Sequence, residues 1–347
     1  MEGEFSAGGL VARLSAFSVR DVADVSRYGS GHINDTFKVE TRGGPRYVLQ
    51  RVNTSIFGDL AMLERNIRLT TRHIAAKGGR TLEVAGYDGA WRLYAFVEGC
   101  VSKDVVETPS DAGAAAAAFA AFQNALADLP PEDIGEILPR FHDTPDRMRQ
   151  LDEAASRDAV SRAASVAREL DFVDSMREKA SLLARMASAG EIPRRIAHND
   201  SKINNVLVPS GGGEAVVIDL DTVMPGTVLS DFGDLVRTAT AAAAEDERDL
   251  SKVFTRRDCF EALARGYLGA AHFLVPAERE NLVYAGWLST FEVGVKFLTD
   301  YLAGDVYFKT AYPEHNLVRA RNQFKMASSI EDARDEYERI VRSVPPE

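Results

Sequence analysis

Ile196-Ala197-His198-Asn199-Asp200-Ser201-Lys202-Ile203-Asn204-Asn205, followed by Ala215-Val216-Val217-Ile218-Asp219-Leu220-Asp221, decides how this chain is read. Asn205 follows Asp200 by five residues, and Asp219 follows Asn205 by fourteen. Val206-Leu207-Val208 reads as a short strand, Pro209-Ser210-Gly211-Gly212-Gly213 as a turn and Ala215 to Ile218 as the return strand of a β-hairpin. That hairpin predicts Asp219 beside Asn205. Ile218 and Leu220 alternate with Asp219 and Asp221, so a continued strand puts both carboxylates on one face.

Phosphoryl transfer asks little covalent chemistry of a protein, but it needs a carboxylate at the attacking hydroxyl and oxygen ligands for the magnesium that bridges nucleotide phosphates. Asp200 suits the first role, and Asn205, Asp219 and Asp221 suit the second, with ATP and Mg2+ as the implied cofactors. A lone His-x-Asp would be an ordinary solvated loop; the complete array with its hairpin carries the functional reading. Lys202 stands where an ammonium can approach the transferring group as a point charge, or simply face water. His198 is expected to brace the loop backbone. Asp231-Phe232-Gly233 spells a known metal motif but lies thirty-one residues beyond Asp200, so Asp231 and Asp234 are expected to cap or pin a following helix over 235–244.

A second wall is expected from Arg27-Tyr28-Gly29-Ser30-Gly31-His32-Ile33-Asn34, a glycine-containing turn leading into a strand over 36–40. Glycine lets backbone approach phosphate closely, which makes Gly29, Gly31 and Asn34 nucleotide candidates. The next strand, over 46–52, has no lysine for the phosphates; Gln50 or Arg51 must substitute, and alternation forbids both from facing the same way. Glu64, on an amphipathic helix over 60–76, is a possible partner for Arg51. Trp91 to Gly99 is a strand ending at Glu98-Gly99, where the chain would cross between lobes and meet adenine through its backbone.

Together these residues resemble the aminoglycoside phosphotransferase and choline kinase superfamily, and within it the bacterial N-acetylhexosamine 1-kinases. The resemblance is carried by Gly31-His32-Ile33-Asn34, His198-Asn199-Asp200 through Asn205, Ile218-Asp219-Leu220-Asp221-Thr222-Val223-Met224-Pro225-Gly226, Asp231-Phe232-Gly233-Asp234, Glu245-Asp246-Glu247 and Tyr312-Pro313-Glu314-His315-Asn316-Leu317-Val318-Arg319. It implies an α+β, two-lobed protein-kinase-like fold, with a small antiparallel N-lobe over 1–98 and a larger helical C-lobe over 99–347. It also implies ATP-dependent phosphorylation of the anomeric hydroxyl of N-acetylglucosamine or N-acetylgalactosamine. By the same resemblance His32, Lys296 and Tyr307 fall at the sugar; Lys296 replaces an expected arginine, which removes a bidentate fork, and Thr238 replaces an expected phenylalanine. An aminoglycoside or choline-type kinase is the neighbouring enzymatic reading, and a nucleotide-binding pseudokinase scaffold, suggested by the missing strand lysine, is the non-enzymatic one.

Composition agrees. The chain has 347 residues, enough for two lobes around a large core. Lys plus Arg number 41 against 52 Asp plus Glu, a net charge of −11 with no basic cluster, which argues against nucleic acid as a partner. Cys100 and Cys259 lack metal or disulfide spacing, as expected of a reducing cytoplasm. No signal peptide is visible, and the longest apolar run, over 112–122, is too short to span a bilayer. Past the hinge, helices are expected over 112–127, 149–189 (two), 260–273, 282–302 and 317–341, with Trp287, Phe291, Phe297 and Tyr301 at core spacing.

Overall fold

Phe37, Val39 and Leu49 alternate with less buried neighbours, whereas the strand carrying Leu93 is buried on both faces. In the computed structural model, which describes residues 5–29, 31 and 33–345, these strands form an antiparallel sheet. Its members are β1 (Val22–Arg27), β2 (Asp35–Thr41), β3 (Tyr47–Arg51), β4 (Val84–Asp88) and β5 (Trp91–Ala95), in the order β1-β2-β3-β5-β4. Helix α1 (Ala7–Leu14) closes the outer face with Leu10 and Leu14. Helix α2 (Leu60–Ala76) starts at Asp59, whose carboxylate accepts the Met62 N–H, and sends Leu63, Ile67 and Ile74 into the main core.

The larger, helical part follows. It comprises β6 (Cys100–Val101), α3 (Pro109–Leu126), α4 (Thr144–Arg157), α5 (Ala167–Ala180), α6 (Leu182–Ser188), β7 (Arg195–Ala197), β8 (Val206–Pro209), β9 (Val216–Val217) and β10 (Met224–Gly226). It ends with α7 (Val228–Ala239), α8 (Arg257–Leu268), α9 (Pro276–Glu280), α10 (Leu282–Ala303), α11 (His315–Asp332) and α12 (Arg334–Ser343). Two small sheets, β6-β8-β9 and β7-β10, carry the loops that matter for chemistry. Helix α3 begins with a Thr108/Asp111 capping box and Pro109 in the first turn. Its small residues let α8 approach until a Cβ on Gly266 would lie 2.2 Å from the Gly113 carbonyl oxygen. Trp287, Phe291, Phe297 and Tyr301 of α10 are buried in the core.

Three expectations need correction. Residues 149–189 contribute to three helices rather than two, and the last helix breaks at Ala333. The helix expected over 235–244 instead starts at Val228, where the Thr227 hydroxyl accepts the Leu229 N–H, so Asp231 lies inside its first turn.

Candidate active site

Strands β8 and β9 pair as the hairpin reading requires, Val206 opposite Val217 and Leu207 opposite Val216, and the Ile218 N–H donates to the Asn205 carbonyl at 2.9 Å. The hairpin thereby returns Asp219 to Asn205. Asn205 Nδ2 donates to the Asp200 carbonyl at 2.8 Å and to Asp200 Oδ2 at 3.0 Å, while Lys202 Nζ lies 3.0 Å from Asp200 Oδ1. Both Asp200 oxygens are thus oriented. Burial depresses the Lys202 ammonium, but Asp200 and Asp234 outweigh it and raise the lysine above its ordinary value.

The loop is held from below by buried groups. Asp231 Oδ2 accepts the His198 N–H at 2.8 Å and Gln123 Nε2 at 2.6 Å, and Asp231 Oδ1 accepts the Asn199 N–H at 2.6 Å. Ser201 Oγ donates to the Asp231 carbonyl at 2.7 Å, and the Tyr267 hydroxyl donates to Gln123 Oε1 at 2.5 Å. Asp231 therefore pins the 198–201 loop and does not cap its own helix; Asp234 instead pairs with Arg237 at 2.8 Å. His198, packed edge-on against Phe119 and Phe122, donates from Nε2 to the Ile218 carbonyl at 2.9 Å and accepts the Asp200 N–H at Nδ1, 3.3 Å away. It braces backbone, as expected. Asn199 adopts a left-handed φ of 64°, which turns its neighbour's side chain out of the helical core.

Asp219 and Asp221 do not share a strand face. Asp219 is left-handed, with φ 57° and ψ 59°, and a short 3-10 turn over Leu220–Thr222 follows, so period-two alternation ends at the hairpin. Asp221 is buried and gripped through both oxygens by the two Nη atoms of Arg92, Nη2 at 2.9 Å; Asn34 Nδ2 adds a third bond at 2.7 Å. Arg92 and Asn34 thus already engage both oxygens of Asp221, a residue expected at the metal. Asp219 is exposed to solvent, with protein crowded beneath it. Desolvation there, then Asp221 and Asp200, push its carboxyl up to about 7. A divalent cation relieves such crowding, and Asp219 with the Asn205 amide oxygen forms a two-residue donor set suited to a magnesium that keeps waters and phosphate oxygens. Among the described residues no group of three or more His, Cys, Asp or Glu forms a metal cage.

The facing wall comes from the sheet. Gly29 has a φ of 80°, and Gly31 leaves open space where a Cβ would stand. His32 lies outside the described residues. Asn34 is engaged at both ends, since Oδ1 accepts the Asn53 N–H at 3.0 Å, so its amide serves the fold rather than facing a phosphate. Gln50 faces the cleft side: Nε2 donates to Thr36 Oγ1 at 2.9 Å and Oε1 accepts Arg92 Nε at 2.9 Å. Arg51 turns to the opposite face, its guanidinium 5.4 Å from the Phe5 ring centroid, and Glu64 pairs with Arg68 at 2.8 Å rather than with Arg51. Glu98 forks onto Arg46, Oε1 accepting Nε at 2.7 Å, directly after β5 ends. The cation that reaches Asp221 from the cleft side is Arg92, which sequence reasoning missed. A single charge inside the apolar run Trp91-Arg92-Leu93-Tyr94-Ala95 was its signal.

On the other side of Asp200, Lys296 Nζ lies 3.0 Å from Oε1 of buried Glu292 and 5.1 Å from the Phe141 ring centroid. Glu292 also meets His142 Nδ1 at 3.2 Å and accepts Thr144 Oγ1 at 2.6 Å, and His142 Nε2 reaches the Asn199 carbonyl at 3.2 Å. A polar chain therefore joins Lys296 to the loop. Burial pushes the Glu292 carboxyl up, yet Lys296, His142 and Thr144 hold it below its ordinary range. Tyr307 is exposed at 69 % on a loop whose Val306, Tyr307 and Phe308 N–H groups all donate to Asp300, and Phe308 packs on Phe297, next to Lys296. Thr238 bonds back to the Asp234 carbonyl at 2.8 Å and offers no aromatic wall. A cavity of about 750 Å³ opens behind Asn199, lined by Phe141, His142, Met224, Leu288 and Glu292; it does not reach Asp200, so volume alone does not locate the acceptor.

Residues 24–272 match the phosphotransferase enzyme family. Among solved structures, a choline/ethanolamine kinase family protein from Mesorhizobium loti is similar with a TM-score of 0.61 at 18% identity, over 97% of this chain and 99% of that one. A microcompartment-associated aminopropanol kinase is similar with a TM-score of 0.59 at 17% identity, over 95% and 98%. An aminoglycoside phosphotransferase solved with ADP bound is similar with a TM-score of 0.58 at 11% identity, over 92% and 98%. At these identities the likeness is one of fold.

Proposed function

The chain belongs to the phosphotransferase enzyme family, and on that premise we propose that it transfers the γ-phosphoryl group of ATP to the anomeric hydroxyl of an N-acetylhexosamine. Asp200 takes the proton from the attacking hydroxyl, held in aim by Asn205 and charge-balanced by Lys202. Asn205 and Asp219 hold magnesium, which supplies charge neutralisation across the phosphate oxygens when bound. The turn at Gly29 and Gly31 lies over the phosphates, and the backbone at Glu98 marks the crossing between an N-lobe over 1–98 and a C-lobe over 99–347. The ADP-bound relative supports the choice of donor.

One observation carries the choice of a neutral acceptor. The acceptor-side carboxylates are already engaged from within: Glu292 by Lys296, and Asp234 and Glu245 together by Arg237, the latter at 2.9 Å. A cationic choline or aminoglycoside needs a carboxylate free to receive it. A neutral N-acetyl sugar needs hydrogen-bond donors and an aromatic surface, which Lys296 and Tyr307 supply, with His32 as the third contact. ADP release measured across N-acetylhexosamines, neutral sugars, choline, aminopropanol and aminoglycosides tests the reading. Activity with N-acetylglucosamine or N-acetylgalactosamine and loss of the product's reducing end are expected, because phosphate on the anomeric oxygen blocks ring opening. Turnover confined to the amines, or a product that still reduces copper, overturns the acceptor while leaving the family intact.

A further inference from the structure

We propose that Arg92 is the nucleotide-positioning cation of this chain and that it acts through Asp221, the pair serving as the brace that sets Asp219 against the sheet. Strand register fixes the faces. Phe37, Leu49 and Leu93 point to the outer core under α1, whereas Val48 and Tyr94 pack toward the main core, so Thr36, Gln50 and Arg92, which share one row across β2, β3 and β5, face the cleft side. Among strand residues on that face the cations are Lys38 and Arg92, and Lys38 is taken by Glu40 at 2.6 Å. Arg92 is left.

The row is wired outward from Arg92. Gln50 Nε2 donates to Thr36, Gln50 Oε1 accepts Arg92 Nε, and Arg92 delivers both Nη atoms to Asp221. Gln50, at the strand position without a lysine, thus orients the arginine of the neighbouring strand. Asn34 joins Asp221 to the turn that follows the glycines, and its Oδ1 holds the Asn53 N–H just beyond β3. Two separate segments of the N-terminal part, carrying Asn34 and Arg92, therefore meet on one carboxylate, with Gln50 and Asn53 holding them from behind. On the other side Asp221 lies in the 3-10 turn directly after Asp219, and its neighbour Thr222 donates from Oγ1 to the His198 carbonyl at 2.7 Å and accepts Asn199 Nδ2 at its own carbonyl, 3.0 Å away. A planar fork at both ends admits one relative placement of sheet and loop, which a single ammonium contact does not. Glu64 and Arg51 do not form the alternative bridge, because Glu64 pairs with Arg68 and Arg51 faces away.

The inference rests on Asp219 as a magnesium ligand, and its test needs no acceptor. Calorimetric titration of the full chain with Mg·ADP, beside thermal melts of the ligand-free protein, reads positioning and folding separately. Arg92→Lys keeps the charge and loses the fork. It is expected to weaken Mg·ADP by about ten-fold or more, the usual effect of removing a group that orients a metal ligand. Arg92→Met with Asp221→Leu removes both charges, so it is expected to melt near the wild type yet remain weak for Mg·ADP. A folded double variant with wild-type Mg·ADP affinity, or an Arg92→Lys variant with unaltered affinity, overturns the proposal. Absence of Mg·ADP binding by the wild-type chain overturns the magnesium reading and this inference together.

Discussion

Asp219 occupies a left-handed conformation, costly for a residue with a Cβ and tolerated best by Asn and Asp. That twist aims its carboxylate into the cleft while its neighbour Asp221 is drawn the other way by Arg92. Asp200, by contrast, has its carboxylate aimed by Asn205 and Lys202 and is not itself one of the proposed metal ligands, so Asp200→Asn is expected to lose transfer by about a hundredfold to ten-thousandfold while binding Mg·ADP as the wild type does; single-turnover transfer and titration on the same preparation check both halves. Glu292 supplies a pH-dependent prediction. Its carboxyl is held below its ordinary value of about 4.5 by Lys296, His142 and Thr144 against burial. A depressed folded value means the stabilisation is present above the unfolded range and is lost as pH falls below about 4.5 toward the folded value. Melting temperatures from neutral to acidic pH should show a steeper acid loss in the wild type than in Glu292→Gln, and parallel curves would rule out this contribution.

At the level of elements, close approach of α3 and α8 depends on paired glycines. A methyl group on Gly266 would meet the Gly113 carbonyl at 2.2 Å, and backbone cannot swing aside as a flexible side chain does. Gly266→Ala should destabilise the chain by at least the ~1–3 kcal/mol typical of overpacking, measured as a shift in the denaturation midpoint at unchanged slope. The effect matters beyond stability, because α3 also presents Phe119 and Phe122 to His198 and Gln123 to Asp231. The α7–α10 crossing is built the same way: a Cβ on Gly233 would lie 2.4 Å from the Ala285 carbonyl. Asp231-Phe232-Gly233 thus supplies a loop anchor, a core ring and a helix crossing in consecutive residues.

In the whole molecule, the candidate nucleotide site lies between the sheet and the helical part, so binding there stabilises their association as well as the fold. Mg·ADP at a hundredfold excess over its dissociation constant should add about 2.7 kcal/mol, visible as a higher melting temperature. Asp219→Ala should abolish that shift with little change in the ligand-free melt. Asp231→Ala should lower the ligand-free melt, because it strands the His198 and Asn199 N–H groups and Gln123. If Asp231→Ala instead lost only the Mg·ADP shift, the metal would have been assigned to the wrong aspartate.

The amino-acid sequence alone determined what is local. The Asp200, Asn205 and Asp219 spacing, the glycine-rich hairpin between them and helix α2 over Leu60–Ala76 all follow from periodicity and turn chemistry acting over a few residues. His198 as a backbone brace was legible for the same reason. Tertiary structure decided every role that depends on a partner far along the chain. Arg92 meets Asp221 across 129 residues, Gln123 meets Asp231 across 108 and Thr144 meets Glu292 across 148. Burial makes those pairings decisive, since a charge taken out of water must find its counter-charge wherever the fold brings one near. A propensity read along the chain has no term for that neighbour. It read Asp231 as capping or pinning its own helix and had no means to find Arg92 as the partner of Asp221, and in both cases a distant buried partner, invisible from local spacing, determined the outcome.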